Sequence, residues 1–234
     1  FYSHHRRCQK ETVSPQGCYH RGIFSLISVM TLIARLFALF AVLLSGCAGA
    51  PPSGQSPRIL AMGDSLMAWN NISSQSIPDT VAETLGVPVI DRSVSAARII
   101  YHLPVSGSAG MNIRKQYKAG DWDWIIVNGG GNDLWLGCGC FACDRKLDKL
   151  ISKDGRKGAI PGMLSQFRQT GAKVIYVGYL RSPGVGSAIE HCREEGDVLE
   201  QRITQLAALD DGIHFLSLRD LVPHGDRSYH ALDM

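Results

Sequence analysis

The chain carries little that would suit a nucleic-acid partner. It holds 24 Lys and Arg against 21 Asp and Glu, but five of the basic residues (Arg6, Arg7, Lys10, Arg21, Arg35) and only Glu11 of the acidic ones lie in the first 46 positions. That leaves 19 basic and 20 acidic residues in the remainder, a net charge of −1 with histidine neutral. A near-neutral body offers no electrostatic footprint for a phosphate backbone, so no nucleic-acid partner is expected. The chain also lacks an internal repeat, which sets aside stacked-repeat architectures. It does not open on Met, so a natural start is expected within it.

What is present near the N-terminus is apolar. Residues 23–46 contain one charge, Arg35. Length alone would allow a membrane span, since about 20 apolar residues suffice. A sharper reading begins at Met30. Met30–Arg35 is then a short positive segment, Leu36–Leu44 a nine-residue apolar run, and Leu44-Ser45-Gly46-Cys47 follows directly. That is the anatomy of a secretory signal. Small residues before a lone Cys match the bacterial lipobox, in which cleavage leaves a Cys that carries lipid. Residues 1–29 are therefore expected to be upstream or processed, residues 30–46 a signal peptide, and Cys47 the lipidation site. A plain signal peptide and an uncleaved anchor are the alternatives. Residues 47–57, rich in Pro, Gly, Ser and Ala, read as a flexible tether. The expected location is the bacterial cell envelope, on the periplasmic face or the outer membrane, with the membrane as a partner through the lipid.

Residues 58–234 suffice for one domain with a sizeable core. Five strands are expected: Ile59–Met62, Pro88–Val94, Trp122–Val127, Lys173–Leu180 and Ile213–Leu218. They are short apolar or β-branched runs. Helix-like stretches lie between them, at Ser76–Leu85, at Leu147–Thr170 in two pieces, and at Val198–Leu209. In the last, Leu199, Ile203, Leu206 and Ala207 fall at helical spacing and are expected in the core. Apolar strands alternating with helices imply a parallel five-stranded sheet covered on both faces, an α/β fold. In such sheets ligands sit beyond the carboxyl ends of the strands.

Two polar motifs fall at those ends. Met62-Gly63-Asp64-Ser65-Leu66 closes the first strand, and Val127-Asn128-Gly129-Gly130-Gly131-Asn132-Asp133 closes the third. Ser65 can supply a nucleophile at a helix start, where backbone N–H groups face incoming negative charge. Asn132 can supply an oxyanion donor. Alone, each motif is an ordinary turn: Asp and Ser cap helices, and glycines with Asn make turns. Together and in this order they point to acyl transfer to or from a serine.

The pair resembles the SGNH (GDSL) hydrolase superfamily. Gly63-Asp64-Ser65-Leu66 matches its first block and Gly130-Gly131-Asn132-Asp133 its third. The resemblance spans roughly Arg58 to the C-terminus. It implies a flavodoxin-like three-layer α/β/α sandwich and the cleavage or transfer of acyl groups on esters, lipids or acetylated sugars. It makes Ser65 the nucleophile, with its N–H and the Asn132 side chain as oxyanion donors, and Gly63, Asp64, Gly130 and Asp133 as supports. Such a donor contributes about 3–4 kcal/mol of barrier lowering. The family's second block supplies a further donor from a Gly. Here Ala96, in Ser93-Val94-Ser95-Ala96-Ala97-Arg98, stands in its place. That donor survives at negative φ and is strained at positive φ. Arg98 is either a surface charge or a substrate contact.

The family's last block is Asp-x-x-His. Asp226 has Tyr229 three positions on, and Asp233 is followed only by Met234. The expectation is that Asp233 is the family's Asp, that its His falls two positions past Met234, and that residues 58–234 are incomplete and nearly inactive as they stand. His230 is the competing base, since triads are recognised by geometry rather than spacing. His102, His214 and His224 read as structural.

Cys138, Cys140, Cys143 and Cys192 could bind zinc, but an exported domain favours two disulfides, in any of three connectivities. No metal and no cofactor is expected. The tryptophans Trp69, Trp122, Trp124 and Trp135 either line a pocket or fill core. The leading reading is a monomeric, lipid-anchored serine esterase acting on a small ester or acetylated glycan. A cell-envelope glycan O-acyltransferase and a non-catalytic binding lipoprotein on the same fold are the alternatives.

Overall fold

A computed structural model of the chain describes residues 58–182, 184, 187–226 and 228. The expected leader, lipobox and tether, with Cys47, lie outside the described residues, as do His230 and Asp233. No described helix is long and apolar enough to cross a membrane.

Five parallel strands form the sheet: β1 (Ile59–Met62), β2 (Val89–Asp91), β3 (Trp124–Val127), β4 (Lys173–Val177) and β5 (Ile213–Leu216), in the order β2-β1-β3-β4-β5. This is the flavodoxin-like order, with its switch point between β1 and β3. The helices that bear on the site and core are α1 (Ser65–Ala68), α2 (Ile77–Leu85), α3 (Gly131–Cys138), α4 (Asp144–Leu150), α5 (Ala159–Arg168) and α6 (Arg193–Ala207), besides other short helical segments of three to five residues.

Period-two alternation divides the core. Leu60, Met62, Ile125, Val127, Val174 and Tyr176 face a layer built on α4, α5 and α6, where Leu150, Phe167 and Ile203 are buried. Ile59, Ala61, Ile126 and Val177 face the other side, covered by Met67 and by Ile77 and Val81 of α2. A strand buried on both faces must be apolar throughout, which is why β1 reads Ile-Leu-Ala-Met.

Three differences from the expected elements have local causes. β2 stops at Asp91, and it is a partly exposed edge strand paired on one side only. α6 begins five residues before Val198, at Arg193. Its first turn, with Glu194 and Glu195, is polar and shows no apolar period, yet acidic residues suit a helix N-terminus. α3 was not expected at all. Glycines occupy its start and Gly137 its last turn, so composition masks it.

The register sets the site. Met62 is level with Val127 across the β1–β3 ladder. The chain therefore leaves the sheet at Gly63 and at Asn128 side by side, at the switch point.

Candidate active site

Ser65 opens α1, and Asp64 is its N-cap, accepting the Leu66 N–H at 3.1 Å. Two buried amides clamp this turn. The Asp64 N–H donates to Asn128 Oδ1 at 3.0 Å, and Asn128 Nδ2 donates back to Asp64 Oδ1 at 2.9 Å. Gln116 accepts the Gly63 N–H at 2.7 Å and donates to Gly63 O and Gly110 O, both at 2.8 Å. The approach is too close for a side chain at 63: a Cβ there would lie 1.9 Å from Asn128 Oδ1. Glycine is required by contact.

The second loop closes against the first through Tyr179, just beyond β4. Its hydroxyl donates to Asp64 Oδ2 and accepts the Gly131 N–H at 3.1 Å. Burial pushes the Asp64 carboxyl above its ordinary value, although Tyr179, Asn128 and Leu66 all donate to it. Burial likewise pushes the Tyr179 phenol well above the usual tyrosine range, and the Asp64 charge adds to this. Gly130 is crowded too: a Cβ there would meet Leu199 Cδ2 at 2.8 Å. The Asn132 loop is thus seated on α6.

Asn132 and Asp133 hold the segment that carries Ala96. Asn132 Nδ2 donates to Ala97 O at 3.1 Å, which leaves its second N–H for another acceptor. Asp133 accepts the N–H groups of Ile99 and Ile100, each at 2.8 Å. Burial pushes its carboxyl up to about 6, against those two donors and the charges of Lys146 and Arg98. Ala96 itself has φ 62°, the left-handed region that favours glycine. The Gly-to-Ala departure therefore falls at a strained position. Arg98 stacks over the Tyr101 ring at 5.0 Å and does not line the cavity described next.

Asp64, Ser65, Gly131 and Asn132 line one cavity of about 210 Å³. Leu134 and Trp135 of α3, Ile189, and Leu199 of α6 complete much of its wall. Of the four tryptophans only Trp135 borders it; Trp69 is exposed, Trp122 packs on the core, and Trp124 lies in β3 beside His214. Among the described residues the lining holds no histidine. His224 instead bonds Glu190 at 2.9 Å, and Glu190 also accepts the Ser182 hydroxyl.

All four clustered cysteines form disulfides, Cys138–Cys143 and Cys140–Cys192. The second bridge ties the loop after α3 to the residue before α6, and Cys192 borders the cavity.

Residues 61–234 match the sequence model of the GDSL-like lipase/acylhydrolase family, more than half of the chain. The chain belongs to that family. Membership of that family suggests esterase or acylhydrolase activity. The fold of this GDSL-like chain recurs in solved structures of low identity. One is an acylhydrolase, provisionally so named, from Bacteroides fragilis NCTC 9343, with 18% identity, 78% of this chain and 79% of that chain covered, and a TM-score of 0.51. Another is a Streptococcus pneumonia protein provisionally named as a platelet activating factor, with 15% identity, 76% of each chain covered, and a TM-score of 0.51. No curated protein is matched by the chain.

The motifs thus brought Ser65, Asp64, Gly131 and Asn132 to one place, with Gly63, Gly130 and Asp133 as close supports. Sequence reasoning missed Gln116 and Tyr179. Neither sits in a motif; Tyr179 was marked only by its place at a strand end. Asn128 was within the opening motif, but without an assigned role.

Proposed function

We propose that the protein is a serine esterase of the bacterial cell envelope, anchored by lipid at Cys47, that works through an acyl-enzyme. The observation carrying this reading is that Ser65 and Asn132, from neighbouring parallel strands, line one cavity. Ser65 Oγ attacks the ester carbonyl carbon and its proton passes to a histidine base. The carbonyl oxygen becomes an oxyanion held by the Ser65 N–H and the Asn132 Nδ2–H not bonded to Ala97. The C–O bond to the alcohol then breaks, and the base returns the proton to the leaving oxygen. Water, activated by the same base, cleaves the acyl–serine bond and restores Ser65. The segment past Asp226, with His230 and Asp233, is where the base and its orienting carboxylate are sought.

The test uses the protein translated to its stop codon, with p-nitrophenyl acetate as substrate. Turnover and labelling by a fluorophosphonate probe are expected, and Ser65→Ala should remove both. Undiminished turnover in Ser65→Ala would overturn the reading. Transfer of acetyl to an added glycan in preference to water would instead favour an acyltransferase.

A further inference from the structure

We infer that the cavity beside Ser65 receives an unbranched acyl chain of medium length, and that Gly196 sets its depth. The inference rests on the serine-esterase reading and names the substrate class of that site.

Gly196 is the fourth residue of α6, where glycine weakens a helix. Two ordinary reasons for a helical glycine are absent. Its φ is not positive. A Cβ placed on it would meet only Arg181 Nη1, at 4.0 Å, so neighbouring packing does not exclude a side chain. By contrast, a Cβ at Gly63, Gly130 or Gly131 would lie under 3.0 Å from another side chain. What Gly196 does border is the cavity. Arg193, Gly196 and Leu199 of α6 recur at spacings of three and so share one face of the helix. That face is the α6 wall, and its only missing side chain is at 196.

The wall chemistry favours hydrocarbon. Leu134, Trp135, Leu180, Ile189 and Leu199 supply it, and the Cys192 sulfur is held in a disulfide. Several of the polar lining groups are already engaged, Ser182 through Glu190 among them. Asp64 and Tyr179 bond each other, and Arg181 is paired with Asp197 and Glu200. Beyond the reacting Ser65 and Asn132, Arg193 at the start of α6 is the remaining charged lining group, so few donors or acceptors are left to match the hydroxyls of a sugar ring. At about 210 Å³ the space is below the usual 300–1,000 Å³ of drug-sized sites. It suits a chain of roughly four to eight carbons rather than a long fatty acyl group.

The experiment compares kcat/KM for p-nitrophenyl acetate, butyrate, hexanoate and octanoate. Wild type should gain about two- to fourfold per methylene as the chain lengthens, since each buried methylene contributes up to about that factor. Gly196→Leu, which places an isobutyl group in the cavity and improves helix propensity, should lower the octanoate-to-acetate ratio at least tenfold. Gly196→Ala should fall between the two. Gln201→Leu, at an exposed position of α6, should leave the ratio unchanged. An unaltered ratio in Gly196→Leu would overturn the inference. If wild type turns over no ester, the esterase reading fails, and calorimetric titration with octanoate decides the pocket separately. Binding lost in Gly196→Leu would support the acyl site; no binding to wild type would overturn it.

Discussion

The Tyr179 hydroxyl donates to the buried Asp64 carboxylate and accepts the Gly131 N–H at 3.1 Å, so one oxygen joins the two loops that meet at the switch point. It fixes the nucleophile turn relative to the Asn132 loop, and both partners are separated from Tyr179 by long stretches of chain. Tyr179→Phe keeps the ring and removes this link. It leaves a buried carboxylate short of a donor and the Gly131 N–H short of an acceptor. The expected outcome is a loss of about 2 kcal/mol in urea denaturation and a fall in kcat of roughly tenfold or more, because small displacements of reacting groups are costly. Wild-type kcat in Tyr179→Phe would show that the bridge does not position the site.

Ala96 at φ 62° stores strain where the family's second block has Gly. The left-handed conformation costs a non-glycine residue about 1–2 kcal/mol, and the greater freedom of an unfolded glycine returns part of that. Ala96→Gly should therefore stabilise the protein by about 0.5–1 kcal/mol, read as a higher urea midpoint at unchanged slope. A lower midpoint would mean that the Ala96 methyl has a packing role which its exposure does not suggest.

The same contrast between local and distant information explains what could be read from the chain. β1 was legible to the residue, because four apolar positions between a charged residue and Gly63 admit few other readings. Ser65 and Asn132 were legible because each follows an apolar strand, and parallel topology brings such ends together. Gln116 and Tyr179 were not. Gln116 lies 53 positions from Gly63, and Tyr179 lies 115 from Asp64. A buried polar side chain declares itself only through its partner, and no spacing rule connects positions so far apart. The start of α6 was hidden for another reason: its first turn borders a cavity and solvent rather than core, so it lacks the apolar period that marks a helix.

Asp133 gives a pH dependence of definite sign. Burial pushes its carboxyl up to about 6 in the folded protein, from an ordinary value of 3.8. Between those values the folded state binds the proton more tightly than the unfolded chain. The stabilisation from this group is thus complete below about pH 4 and is lost as the pH rises through about 6, a change of about 3 kcal/mol. Burial shifts Asp64 in the same direction. Urea denaturation of wild type at intervals from pH 4 to 7 should show this decline, and Asp133→Asn should be flatter across the window. A parallel decline in the variant would assign the titration to another group.

The Cys140–Cys192 bridge closes a loop of 52 residues, and Cys138–Cys143 closes one of 5. Chain-entropy reasoning gives about 4 kcal/mol for the long loop and about 2 kcal/mol for the short one. Replacing both partners of a bridge avoids leaving a stray thiol. Cys140→Ser with Cys192→Ser should therefore lower stability by about twice as much as Cys138→Ser with Cys143→Ser. The two pairs should also separate kinetically. Cys192 borders the cavity and immediately precedes α6, whereas Cys143 borders neither. Freeing the α6 start should let the cavity wall move, raising KM for a butyrate ester more than for acetate, while loss of the short bridge should leave that ratio alone. Equal KM ratios in the two double variants, despite unequal stabilities, would show that the long bridge stabilises the fold without shaping the pocket.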